Sequence, residues 1–133
     1  MAVGEAVDRS LEEIEGDVWG EPPAGATRLV ATVHELRRRP VGQLAVEDLR
    51  TLVGQQVGLD VVVPMVLDLL AAEPLAEGDF YPGDLLAATM RVPVEYWRAY
   101  PSWAARLRDI VDAVDVDDEY LRREISAFRG RGY

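Results

Sequence analysis

The sequence predicts an all-α fold, a single compact domain of six or seven helices packed around a central apolar helix. In most of the chain, apolar residues recur three and four positions apart, which is the spacing of a buried helical face. No segment alternates apolar and polar residues over the length of a strand, and no Asn-Gly pair marks a hairpin. A chain of 133 residues suits one core, so residues 1–133 are assigned to one domain, with loose ends expected at 1–9 and 130–133.

A capping box predicts the first helix. The Ser10 hydroxyl can accept a hydrogen bond from the Glu13 backbone, and the Glu13 carboxylate can return to the backbone of Ser10. Gly16 is expected to end this short helix. Two prolines and nearby glycines in residues 17–26 then predict an ordered loop, held in place by a packed Trp19 ring.

Two amphipathic helices are predicted next. The first spans residues 27–39 and stops at Pro40. Its inner face is predicted to hold Leu29, Val30, Val33 and Leu36, and its outer face Arg28, Thr32, Glu35 and Arg37. The second begins near Val46 and ends at Gly58. Its buried residues are predicted to be Leu49, Leu52, Val53 and Val57.

The segment from Asp60 to Ala72 is apolar nearly all round, which predicts the central helix. Pro64 is expected in or near its first turn, or to bend it. A loop over residues 75–82 follows, and Gly83 and Asp84 open a short helix. One or two further helical turns are predicted over residues 94–100, and helices are predicted from Pro101 onward and after an Asp117 cap. The last is predicted to bury Leu121, Ile125 and Phe128.

Charge is the most informative feature of the composition. There are 24 acids and 14 bases, all of them arginine, so the formal net charge is −10. The acids cluster in residues 1–26, 46–90 and 109–118. An acidic field repels nucleic acid and anionic lipid, and it speeds encounter with a basic protein. Solvated helix faces with internal ion pairs account for the same pattern, and both interpretations stay open on charge alone.

Catalytic and metal-binding motifs are not recognisable in this sequence. There is no cysteine, the single histidine is His34, and no serine stands in a nucleophile elbow. Asp79 and Asp84 flank a turn, where a turn acid and a helix cap explain them better than acid–base chemistry does. The acids of residues 115–119 lack the spacing of a calcium loop. We therefore expect no cofactor, and we expect a cytoplasmic protein without a leader or membrane span.

Four strings, in this order along the chain, resemble the immunity proteins of contact-dependent growth inhibition (CDI), of the helical CdiI type. They are Leu11 to Glu15 with Trp19-Gly20, Leu36-Arg37 through Pro40, Val46 to Arg50 with Val53 to Leu59, and Pro74 to Leu86. Trp97 completes the resemblance, which covers residues 11 to about 108. The resemblance implies a cytoplasmic protein that binds and neutralises a toxin domain delivered by a neighbouring cell. It also implies a toxin that is often a basic nuclease, and it assigns no contact residues.

We therefore expect an immunity protein that binds the C-terminal domain of one cognate toxin through acidic surface, as a monomer or homodimer, with no nucleic-acid partner. The expected contacts are first Glu77, Asp79 and Asp84, and then Glu12, Glu15, Asp17 and Glu21. Two alternatives stay open. One is a small carboxylate- or metal-dependent hydrolase that uses Asp79, Asp84 or His34, and the other is a homodimeric helical adaptor.

Overall fold

The computed structural model describes residues 8–131, and over that range it confirms the all-α fold. The helices are α1 (Leu11–Glu15), α2 (Arg28–Arg38), α3 (Val46–Gly54), α4 (Leu59–Ala72), α5 (Asp84–Met90), α6 (Val94–Ala99), α7 (Pro101–Ala113) and α8 (Glu119–Gly130). A 3-10 turn covers Val41–Gln43. The described residues thus hold eight α-helices rather than six or seven, because the turns predicted over residues 94–100 form a helix of their own, α6.

Several helix ends follow the predicted signals. The Ser10 capping box is present, Gly16 ends α1 at a φ of 66°, and Pro101 is the first residue of α7. The predicted cap of α8 is off by one residue. Asp118 has the extended backbone of a cap, and its carboxylate accepts a 2.8 Å hydrogen bond from the Leu121 N–H. Asp117 precedes the cap and is exposed.

The apolar helix α4 lies at the centre, as predicted. Five of its side chains are completely buried: Val62, Val63, Val66, Leu67 and Leu70. It packs against α3 and α5 on one side and α7 on another, and α8 closes over α5. Pro64 lies in the second turn of α4, where it removes one backbone donor from the helix.

The inner face of α2 differs from the prediction. Leu29 and Val30 are exposed, whereas Val33 and Leu36 are buried together with Arg37, which was assigned to the outer face. The reason is a counter-charge contributed by α1. Glu15 forms a 2.5 Å ion pair with Arg37, which lets the arginine pack between the two helices.

Helix α3 ends at Gly54 rather than Gly58. Gln56 adopts a left-handed backbone with a φ of 57°, which stops the helical path. The Val57 N–H donates a 2.9 Å hydrogen bond to the Leu52 carbonyl in the resulting turn. Val57 still packs against the core, but from this turn rather than from a helical face.

Residues 1–7 and 132–133 lie outside the described residues, and the expectation of loose ends at 1–9 and 130–133 falls mainly on them. Within the described part, the Arg9 carbonyl accepts a hydrogen bond from the Val41 N–H. At the other end, Arg131 donates to the Met90 carbonyl. None of the helices in residues 8–131 has the length and apolar character needed to cross a membrane.

Candidate functional site

The loop between α4 and α5 is built around two carboxylates. Asp84, at the start of α5, is only 3% exposed. Its carboxylate accepts hydrogen bonds from the N–H groups of Gly78 at 2.7 Å and Phe80 at 3.1 Å. Glu47 of α3 accepts a third, at 2.9 Å, from the Asp79 N–H. Three successive backbone donors are thereby satisfied, which fixes the shape of the loop crest.

Glu47 is itself held by Arg50. The guanidinium donates two hydrogen bonds, of 2.6 and 2.5 Å, to the two carboxylate oxygens. This charged pairing lowers the pKa of Glu47 and raises that of Arg50, against the opposing effect of partial burial. The guanidinium also lies 4.4 Å from the ring centroid of Phe80, which is otherwise 67% exposed. The Phe80 ring is therefore exposed to solvent and held in place by its contact with Arg50.

Two glycines allow this loop to sit close to its supports. A Cβ at Gly78 would lie 2.5 Å from Glu47 Oε1 and 3.0 Å from Asp84 Oδ2, so a side chain would disturb both carboxylates. Gly83 has a φ of 88°, which is strained for other residues, and a Cβ there would lie 2.6 Å from Leu121. The loop is thus tied both to α3 and to α8.

Beside the loop lies a shallow groove of about 500 Å³, which we call the acidic groove. Its lining comprises Glu73, Pro74, Leu75, Ala76, Glu77, Ala113, Val114 and Asp115. All three acids are exposed, and none of them forms an ion pair with the described residues. The groove therefore combines three free negative charges with an apolar strip that includes the exposed Leu75.

The first group of expected contacts divides into two kinds of residue. Glu77 borders the acidic groove, and Asp79 stands exposed on the loop crest. Asp84 is instead buried, with both oxygens engaged by loop amides. Its carboxylate shapes the loop from below and is not part of the exposed surface.

The second group of expected contacts holds the 17–26 loop against α1 and α2. Glu12 is buried, and its carboxylate accepts a 3.3 Å hydrogen bond from the backbone N–H of Trp19. The backbone carbonyl of Asp17 accepts a 2.5 Å hydrogen bond from Arg37, and the Asp17 carboxylate accepts a 3.2 Å hydrogen bond from the Trp19 indole N–H. Arg37 in turn lies 4.3 Å from the Trp19 ring centroid, so the predicted packing of this ring is present even though the ring is partly exposed.

Three members of that group, Glu15, Asp17 and Glu21, remain at the surface. Glu15 shares its charge with the buried Arg37, and Glu21 pairs with Arg38 at 3.0 Å in a solvent-exposed ion pair. Much of the negative charge at this end of the molecule is therefore matched by arginine. The acidic groove keeps its charge unmatched.

His34 and the acids named for the hydrolase alternative are engaged in different parts of the fold. The His34 ring is buried, its Nδ1 lies 3.1 Å from the Gly20 carbonyl, and its edge meets Trp19. Asp84 is committed to the α4–α5 loop. Among the described residues, no group of three or more acids and histidines is arranged to hold a metal ion.

Sequence reasoning missed two residues of the groove. Glu73 was given no functional role, and Asp115 was considered among the acids of residues 115–119, as part of a calcium loop. Nothing in the sequence indicates that Glu73 and Asp115 lie close together, because 42 positions separate them. Packing of α7 against α4 places the two helix ends side by side.

These features define a small helical protein whose accessible unpaired groups are mainly carboxylates. The family model for CDI immunity proteins matches residues 13–107, which is most of the chain. The chain belongs to this family of immunity proteins, as the four sequence strings indicated. No curated protein matches the sequence. Immunity proteins of this family are inhibitors, and their target is a CDI toxin.

Proposed function

We propose that this protein binds the C-terminal domain of its cognate CDI toxin in the cytoplasm and neutralises it, that the toxin domain is basic, and that it is a nuclease. A nuclease must hold a polyanion and is therefore basic around its active site. An inhibitor with a net charge of −10 complements such a surface. The proposal requires no cofactor.

The observation that carries the proposal is the set of unpaired acids around the α4–α5 loop. Glu73, Glu77 and Asp115 border the acidic groove, and Asp79 lies on the crest beside it. Acids that already have an arginine partner lose part of their attraction for a basic protein, whereas these four keep theirs. We therefore place the principal contact here, with Glu15, Asp17 and Glu21 as a secondary acidic surface.

The same loop provides an apolar anchor. Phe80 is exposed but braced by Arg50, and Leu75 is exposed inside the groove. Interfaces obtain most of their binding energy from a few aromatic and apolar groups at the centre, while charge at the rim governs the rate of encounter. Asp84 supports this surface from within, because its carboxylate holds the backbone of the α4–α5 loop. Glu12 holds the backbone of the 17–26 loop in the same way.

Co-purification tests the proposal directly. The protein and the toxin domain encoded beside it are expected to form a 1:1 or 2:2 complex at micromolar concentration in moderate salt, and the protein is expected to protect cells that express that domain. Absence of a complex, or a complex without protection, would contradict neutralisation. A nuclease assay on the isolated toxin domain tests the proposed reaction class separately.

Charge reversal tests the surface. Glu77→Lys combined with Asp79→Lys is expected to slow association with the toxin domain at least tenfold at low salt, with a smaller effect at high salt. Glu95→Lys with Asp109→Lys is the matched control, since both acids are exposed, neither forms an ion pair among the described residues, and neither borders the groove. Equal slowing in the two variants would show that only net charge matters and would remove the acidic groove from the proposal.

A further inference from the structure

A second cavity has the opposite character from the acidic groove. It lies between α6 and α7, has a volume of about 240 Å³, and is lined by Trp97, Arg98, Pro101, Ala104 and Arg108. Pro101 begins α7, and Ala104 and Arg108 follow one and two turns later on the same face. No acid is among its lining residues, although the chain carries 24 acids.

The two arginines of this cavity are unpaired. Ten ion pairs join arginines to acids within residues 8–131, and neither Arg98 nor Arg108 takes part in any of them. In a strongly acidic chain, two neighbouring guanidinium groups without a carboxylate partner stand out. Their charge is available to a negatively charged group from outside the protein.

Two residues of the cavity lining carry a donor that has no acceptor. The Trp97 indole nitrogen and Arg108 Nη1 are both buried, and no group among residues 8–131 accepts a hydrogen bond from either. Trp97 is completely buried, so its N–H has lost access to bulk water. A buried donor without a partner carries its full desolvation cost, and native proteins rarely leave one unsatisfied.

We propose that this cavity is an oxyanion-binding site, which takes a carboxylate or a phosphate group. A guanidinium presents parallel N–H donors that match two oxygens of such a group. The cavity is smaller than typical ligand pockets, which suits a single acidic group. Binding there neutralises the two arginines that have no acidic partner among the described residues. The site is independent of the acidic groove, which attracts cations.

Nuclear magnetic resonance of the indole N–H signals tests this site. Sodium acetate and inorganic phosphate are titrated separately into the full-length protein, replacing chloride so that ionic strength stays constant. The Trp97 indole signal, assigned by elimination with Trp19→Phe and Trp103→Phe, is expected to shift saturably with at least one of the two anions. The anion that binds more tightly identifies the acidic group that the site prefers.

Matched variants distinguish binding from general screening. Arg108→Gln is expected to weaken the anion's affinity at least about tenfold. Arg98→Gln, at an exposed position, is expected to act in the same direction without a risk to folding. The control is Arg106→Gln, since Arg106 lies on the same helix but pairs with Asp68 outside the cavity. An indole signal that does not move, or that moves equally in Arg108→Gln and Arg106→Gln, would overturn the proposal.

Discussion

The buried carboxylate of Asp84 accepts a 2.7 Å hydrogen bond from the backbone N–H of Gly78, six residues earlier in the chain. This contact, together with the one to Phe80, turns the eleven-residue loop over residues 73–83 into a fixed platform. The platform carries Glu77 and Asp79 toward solvent. Surface charge in this region therefore depends on a side chain beneath the surface.

Asp84→Ala is expected to lower the free energy of unfolding by about 2–4 kcal/mol, because two loop amides lose their acceptor and Asp84 itself is buried. Urea denaturation measures the change. Asp79→Ala is the control, since its exposed side chain makes no hydrogen bond among the described residues, and we expect a change within about 0.5 kcal/mol. Similar losses in both variants would show that Asp84 does not support the loop.

The Glu15–Arg37 and Glu21–Arg38 ion pairs should differ in how much they stabilise the fold. Glu15→Ala is expected to cost about 2 kcal/mol, because it removes the charge partner of Arg37, whose side chain is 1% exposed. Glu21→Ala should cost less than about 1 kcal/mol, because Arg38 is 41% exposed and stays hydrated. Chemical denaturation of both variants makes the comparison, and equal costs would contradict the role assigned to Arg37.

Gly83→Ala tests the close packing of the loop on α8. The substitution requires an unfavourable φ of 88° and places a Cβ 2.6 Å from Leu121, so we expect a loss of about 2–4 kcal/mol. Gly54→Ala is the matched control in α3, where a Cβ meets no atom within 4 Å. It should be neutral or stabilise by up to about 1 kcal/mol. Thermal unfolding of both variants measures the difference.

Acidification should destabilise the protein partly through two carboxylates. Hydrogen bonds from Arg50 lower the pKa of Glu47, and hydrogen bonds from Arg91 lower that of Glu124. A pKa lower in the folded state than in the unfolded state gives stability that is present above the ordinary value of 4.5 and lost as the pH falls through the folded value. Urea denaturation between pH 7 and pH 3 should therefore show a smaller fall in Glu47→Gln than in the wild type.

Local sequence signals predicted the helices well because their causes are local. A capping box, a proline at a helix start and a glycine with positive φ act within a few residues, and apolar spacing marks the face that enters the core. The assignment of Arg37 failed because a distant residue decided the outcome. Arg37 was assigned to the outer face of α2, because nothing in the neighbouring sequence indicates that it forms an ion pair with Glu15 of α1.

The same contrast between local signals and distant residues applies to the candidate site. Glu77 and Asp79 were expected at an exposed loop, and the structure has them there. Asp84 looked equivalent to them in the sequence, yet tertiary packing turned its carboxylate inward to the loop amides. Asp115 joined Glu73 and Glu77 only through the packing of α4 and α7.

By itself, the sequence determined the all-α class, the central position of α4 and the acidic balance, since these follow from composition and spacing. Family membership followed from the resemblance of four strings and from the match to the family model. Only the tertiary structure decided which acids are exposed and unpaired, and which arginines find partners. The physical reason is that a side chain's charge acts through its surroundings, and burial and pairing depend on residues far away in the chain.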